Sequence, residues 1–143
     1  MVKYIISEKG KAWRIEREDE ALVGKVIGDE FDGKELMPEL EGYKLQIMGG
    51  SDMAGFPLSK DVEGLGLKRL LLRKGWGMKT PGDGLRLRKT VRGKTISNTT
   101  AQINIKVTSA GKKLLTEVFP DQNKPKEEAK KEEAKALEEA PAA

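Results

Sequence analysis

The chain has no histidine and no cysteine among its 143 residues. Without imidazole there is no histidine general base, no Ser-His triad and no His-ligated metal. Without thiols there is no disulfide framework, no zinc ribbon and no cysteine nucleophile. Any catalysis would have to rest on carboxylates, Lys, Tyr or hydroxyls. A chain with no Cys suits a reducing cytosol. Long apolar runs are missing too. No window approaches the roughly 18 apolar residues of a membrane span, and the mean hydropathy is -0.56. The apolar stretch after Met1, Val2-Lys3-Tyr4-Ile5-Ile6-Ser7, is too short for the core of a signal peptide. The expectation is a soluble, cytoplasmic protein with no membrane partner, no small-molecule substrate, no cofactor and no metal.

What is present is charge, unevenly placed. The net charge of +4 averages three unlike segments. Residues 1–67 carry 9 basic and 14 acidic side chains, residues 68–94 carry 10 and 1, and residues 95–143 carry 8 of each. A solvated surface normally mixes its signs, and a net +9 within 68–94 does not. That segment reads as a stripe for a polyanion. The chain fits one domain, 1–119, followed by a tail, 120–143. From Lys124 the tail is built of Lys, Glu and Ala, with Leu137 its one large apolar residue. It buries too little to offset its ordering entropy, and the Glu127/Lys131 spacing suits a solvated helix.

The rest reads as β structure. Ile103, Ile105 and Val107 alternate with polar residues over Ala101–Thr108, the period of a half-buried strand. Val2–Ser7 and Ala12–Glu16 read as a hairpin around Glu8–Lys11. Tyr43–Met48 and Leu67–Arg73 read as further strands. Helix signals are few. Ser59 is placed to cap a turn through Val62, and Ser109 precedes a short helix over Lys112–Phe119 that stops at Pro120. Short strands with 16 glycines and six prolines indicate a small β-barrel or sandwich.

Within the basic segment, Arg86, Arg88, Thr90, Arg92 and Lys94 fall at two-residue spacing. An extended Leu85–Thr95 would put them on one face, about 6.6 Å apart, with Leu85, Leu87 and Val91 opposite. Neighbouring cations would then reach different phosphates. The preceding stretch from Lys74 to Gly84 holds four glycines and reads as a loop. In it, Trp76 is placed either to stack on a base or to anchor the loop on the barrel. The candidate RNA-binding set is Lys68, Arg69, Arg73, Lys74, Trp76, Lys79, Arg86, Arg88, Lys89, Arg92 and Lys94. Six to ten phosphate contacts would cost about 10³–10⁵ in affinity between 50 and 200 mM salt. No base-reading module is recognisable, so RNA shape is the expected target.

Three patterns imitate other chemistry. Arg92-Gly93-Lys94-Thr95 resembles the end of a nucleotide-binding loop, but the glycine required five residues earlier is Arg88. Gly28-Asp29-Glu30-Phe31-Asp32-Gly33 resembles a calcium loop whose first ligand position is a glycine. A tight turn is the reading there. The acidic run Glu16, Glu18, Asp19 and Glu20 either pairs with basic surface or forms a solvated turn. No carboxylate pair stands out as hydrolytic machinery.

Gly49-Gly50-Ser51-Asp52-Met53-Ala54-Gly55-Phe56-Pro57 suggests a tight loop with positive φ angles around one Asp. This segment resembles the signature of the ribosomal protein S6e family of archaeal and eukaryotic small subunits. The candidate signature residues are Gly49, Gly50, Asp52, Gly55, Phe56 and Pro57. The family pattern continues with Met, where this chain has Leu58. Arg69-Leu70-Leu71-Leu72, Lys74-Gly75 and the basic run to Val91-Arg92-Gly93 extend the resemblance, which covers roughly residues 1–119. It implies a structural, non-enzymatic role in the small subunit, with small-subunit ribosomal RNA and neighbouring ribosomal proteins as partners. Eukaryotic members end in a long basic helix with regulatory serines. This tail has none, so that control does not carry over, and the short form looks archaeal. The Gly28-Asp29 turn resembles that of cradle-loop barrels. The fold expected is therefore mainly β, a small six-stranded β-barrel with short helices and a basic strand-loop extension. A free-standing RNA-binding regulator is the alternative, from a different functional class.

Overall fold

In the computed structural model, which describes residues 1–18, 21–79 and 82–123, the first two strands form a tight hairpin. β1 (Val2–Glu8) pairs antiparallel with β2 (Lys11–Arg17), and Glu8 lies opposite Lys11. The two-residue turn is Lys9-Gly10, both at positive φ (46° and 80°). That primed geometry matches the twist of the flanking strands.

The other side of β1 pairs in parallel with β7 (Thr100–Ser109). β7 pairs antiparallel with β4 (Lys44–Asp52), and β4 with the three-residue β3 (Glu30–Asp32). The result is a five-stranded sheet in the order β2-β1-β7-β4-β3. Its buried face follows the two-residue period: Tyr4 and Ile6, Trp13 and Ile15, Leu45 and Ile47, Ile103 and Ile105. Phe31, Leu36, Leu40 and Leu115 join that core beside Leu22, Tyr43 and Ile96. The first four come from β3, the one-turn α1 (Gly33–Leu36), the 3-10 turn Pro38–Leu40 and the one-turn α2 (Leu115–Val118). The Tyr43 hydroxyl donates to the Lys113 carbonyl and ties the segment before α2 to the body.

The architecture is mainly β with few short helices, but the six-stranded barrel does not form: the described strands do not close. Both sheet edges have a physical reason to stay open. β3 is three residues long and runs directly into α1. On the free edge of β2, the Arg14 amide donates to Gln122 Oε1. Gln122 Nε2 donates to the Arg14 carbonyl, and Asn123 Nδ2 to that of Ala12. Side-chain amides thus occupy the groups that another strand would need.

Other expectations also shift. The 112–119 helix shrinks to the single turn of α2, with Leu114 at its N-cap and no side-chain cap. Ser59 forms a local turn, its Oγ accepting the Asp61 amide at 3.3 Å, with no helix after it. The Tyr43–Met48 strand runs on to Asp52, through the two glycines. The tail from Lys124, together with Asp19 and Glu20 of the acidic run, lies outside the described residues.

Apart from this sheet stands a ribbon of β5 (Leu67–Arg73) and β6 (Arg86–Arg92), paired antiparallel with each other.

Candidate nucleic-acid interface

The ribbon register decides what each of its faces carries. Residues directly opposite each other in an antiparallel pair share a face. Leu67 faces Arg92, Arg69 faces Thr90, Leu71 faces Arg88 and Arg73 faces Arg86. One face therefore collects Arg69, Arg73, Arg86, Arg88 and Arg92, every arginine of the basic segment. The other face pairs Lys68 with Val91, Leu70 with Lys89 and Leu72 with Leu87. Val91 is fully buried and Leu70 and Leu72 are half-buried, so that face turns to the body. Arg69, Leu71, Arg73, Arg86 and Arg88 are all exposed. The alternation Arg86, Arg88, Thr90, Arg92 reads as anticipated, but the strand ends at Arg92 and Lys94 lies beyond it. The pairing that adds Arg69 and Arg73 to it was not legible without the register.

Electrostatically the arginine face is unbalanced. Arg73 lies directly across from Arg86, where side chains stand about 4.5–5.5 Å apart at Cβ and like charges destabilise the pair. Among the described residues, no carboxylate lies within ion-pair reach of Arg69, Arg73, Arg86 or Arg88. The same holds for Lys68, Lys79 and Lys89. A guanidinium presents a planar fork of donors that matches a phosphate. Four such forks stand together on one exposed two-stranded surface.

Three of the candidate cations have partners within the chain. Lys74 Nζ meets Asp83 Oδ1 at 2.8 Å across the tip of the ribbon, both groups exposed. Lys94 Nζ approaches Glu63 Oε1 at 3.4 Å. Arg92 is the most firmly held: its Nε donates to Asp52 Oδ2 at 2.7 Å and its Nη1 to the Leu65 carbonyl at 3.0 Å. The Asp52 side chain is only 4% exposed.

That ion pair explains what the glycine-rich segment does. Gly55 donates to the Asp52 carbonyl, and Asp52 to that of Phe56, around the loop Met53-Ala54-Gly55. Gly55 has φ +88°, the left-handed residue that ends such a three-residue hairpin loop. The returning chain then bonds both ways. Leu58 donates to the Gly50 carbonyl, Arg92 to that of Pro57, and Ser59 to that of Arg92. A side chain at Gly50 would put its Cβ 2.3 Å from the Gln102 carbonyl oxygen of β7. At Gly93 it would lie 1.9 Å from the Gly64 carbonyl oxygen. The segment joins the base of the ribbon to β4, and the Arg92-Gly93 pair is packed backbone rather than a phosphate loop. The Gly28-Asp29 turn is likewise structural, since Asp29 Oδ2 accepts the Val26 amide at 2.8 Å.

Trp76 sits between its two expected roles. It is 54% exposed, yet it lines a cleft whose other wall is Met48, Gly49, Gly50, Pro57 and Asn104. Its neighbour Met78 is buried, and the Met78 amide donates to the Gly75 carbonyl. Thr80 and Pro81 of the same loop lie outside the described residues.

Comparison with known proteins decides the lineage. The family model described as ribosomal protein S6e matches residues 3–120. The chain belongs to the ribosomal protein S6e family. It is 42% identical over 129 residues to the small ribosomal subunit protein eS6 of Methanosphaera stadtmanae, covering 88% of this chain and 98% of that one. It is 45% identical to the protein of the same name from Methanocaldococcus jannaschii, covering 82% and 89%. With that of Methanothermobacter thermautotrophicus the identity is 47%, covering 82% and 94%. These relatives are archaeal. The S6e family is one of structural ribosomal proteins, not enzymes. No helix among the described residues is long and apolar enough to cross a membrane.

Proposed function

We propose that the chain is a structural constituent of the small ribosomal subunit that grips ribosomal RNA with the arginine face of the β5–β6 ribbon. The observation that carries this reading is Arg73 set against Arg86, beside Arg69 and Arg88, with no carboxylate in ion-pair reach among the described residues. A folded chain that places like charges opposite each other lowers its own stability unless a partner neutralises them. RNA phosphates supply that neutralisation, and a ribosomal family supplies the RNA. Arg69, Arg73, Arg86 and Arg88 bind phosphate directly. Lys68, Lys79 and Lys89 add positive potential around them.

Arg92 and the signature residues Gly50, Asp52 and Gly55 act one step back, fixing the ribbon to the sheet. Lys94 and Lys74 are tempered by Glu63 and Asp83. The bonds of Gln122 and Asn123 to β2 support a body that runs a few residues past 119. Neighbouring ribosomal proteins complete the set of partners, and the protein works ribosome-bound in the cytoplasm.

The test is a charge reversal that spares Arg92. The combined Arg69→Glu, Arg86→Glu, Arg88→Glu variant should keep its melting transition. It should be absent from small subunits on a sucrose gradient after a high-salt wash. Binding of small-subunit rRNA should also lose salt dependence, by about 0.7–0.9 in log-log slope per phosphate contact removed. Normal incorporation of that variant would overturn the assignment of this face. A parent protein that washes off small subunits at high salt would instead favour a transient regulator.

A further inference from the structure

We infer that the cleft between Trp76 and Gly49 receives a single unstacked nucleobase of the RNA held by the ribbon, a pocket that rests on the RNA-binding reading above. The cleft measures about 560 Å³, within the ~300–1,000 Å³ usual for small-molecule sites. The Trp76 indole lines it together with the bare backbone of Gly49 and Gly50, with Asn104 and with one side chain of each charge, Lys60 and Asp61.

Two observations separate this cleft from an accident of packing. The first is the contrast between adjacent glycines. Gly50 is required by the fold, because a Cβ there meets the Gln102 carbonyl oxygen at 2.3 Å. Gly49 follows a β-bulge between Ile47 and Gly49, yet its φ is not in the left-handed range and a Cβ there meets nothing within 4 Å, so neither its backbone nor its packing demands glycine. A glycine inside a strand costs stability, so a fold with no use for it would be better served by almost any side chain. Its bareness keeps the cleft open.

The second is Trp76 itself. Gly75 and Gly77 flank it at φ 135° and 74°, and the Gly75–Met78 bond closes the loop beneath it. The indole is thus held at the cleft by loop backbone while remaining 54% exposed. An exposed tryptophan held by its neighbours rather than by its own burial is a stacking platform. Asn104 adds an edge reader. Its Oδ1 already accepts Gln102 Nε2 at 2.9 Å, which leaves its Nδ2 hydrogens to donate to a base acceptor.

Lys60 and Asp61 balance within the cleft, so the charge that favours RNA comes from the segment around it. Trp76 belongs to the segment of net +9, with Lys74 and Lys79 two and three residues away. A phosphate backbone drawn along the arginine face would bring its bases to this loop. Sequence-specific and single-stranded RNA contacts are made in this way, by splaying a base onto an aromatic ring.

The experiment uses the full chain and protein-free RNA extracted from small ribosomal subunits. Trp76→Ala and, separately, Gly49→Leu should each weaken binding by about 5- to 150-fold, the range of one base–aromatic stack. Neither should change the salt slope, because no phosphate contact is lost. Trp76→Phe should restore most of the affinity. RNA should quench the Trp76 fluorescence, read as the difference between the parent and Trp76→Phe so that the buried Trp13 cancels. Parent-like affinity for both Trp76→Ala and Gly49→Leu overturns the pocket while the arginine face stands. So does RNA affinity that is intact alongside impaired incorporation into subunits, which would assign the cleft to a protein segment. If the parent shows no salt-dependent RNA binding, the arginine-face reading fails, and the pocket with it.

Discussion

The five-stranded sheet and the β5–β6 ribbon use the same strand alternation to opposite ends. In the sheet, alternate residues enter one core, and Tyr4, Ile6, Leu45, Ile47, Ile103 and Ile105 are all buried. In the ribbon only Val91 is fully buried, and the outward face is arginine. Burial of the apolar face stabilises the sheet from within. A lone two-stranded ribbon is marginal in water. This one depends on backbone pairing, on the Asp52–Arg92 joint at its base and on whatever neutralises its charge. On the proposed reading, stability and RNA binding are separable by region, and the Asp52–Arg92 joint belongs to both.

The sharpest test of that separation sets one residue of each region side by side. Ile105, in the central strand β7, is 1% exposed, and Ile105→Ala should cost about 2–5 kcal/mol in denaturant unfolding. Leu71, on the arginine face, is 60% exposed, and Leu71→Ala should stay within about 0.5 kcal/mol. RNA affinity of the folded fraction should survive the first change. A comparable loss of stability from both would mean that the ribbon is part of the core.

The joint comes next. Asp52→Ala leaves the mostly buried Arg92 guanidinium without its counterion, at a cost of about 3 kcal/mol. Amide hydrogen exchange should localise the damage, with β5 and β6 exchanging faster while β1 and β7 stay protected. Arg92→Ala in the same background should add little, since the two residues act as one unit. Additive losses would show that they do not.

A smaller effect separates the adjacent glycines. Gly50→Ala, pressed against β7, should cost about 1–3 kcal/mol as an overpacked site. Gly49→Ala should be neutral or stabilise by up to about 1 kcal/mol, since it has room and stiffens the unfolded chain. Equal costs at the two positions would remove the argument that Gly49 is bare for a ligand.

How much of this was legible in the sequence depends on range. Local periodicity was readable: the hairpin of β1 and β2, the alternation of Ile103 and Ile105, and the Arg86/Arg88/Arg92 face all follow from a period of two. Family membership was readable from the 49–57 segment. What could not be read is long-range pairing. Nothing in the residues says that Arg73 stands opposite Arg86, or that Asp52 reaches across 40 positions to Arg92. The open sheet was missed for the same reason. Its β2 edge is covered by the Gln122 and Asn123 amides, more than 100 residues away in sequence. β3 and α1 were missed because three- and four-residue elements carry no periodicity of their own.

The smallest effect on stability falls at the tip of the ribbon, where the two regions differ most. Asp83 is the one acid among the residues of the +9 segment, and it lies 2.8 Å from Lys74 with its side chain 92% exposed. An exposed pair of this kind contributes little to folding, so Asp83→Asn should move stability by no more than about 0.5 kcal/mol. Binding should respond in the other direction. Releasing Lys74 and removing a negative charge raises the potential along the arginine face, so rRNA affinity should rise about two- to fivefold at low salt. The gain should fade as added salt shortens the screening length. An affinity that falls instead would mean that Asp83 holds the loop in the shape that RNA requires. The tip would then belong to the folded body rather than to the charged surface.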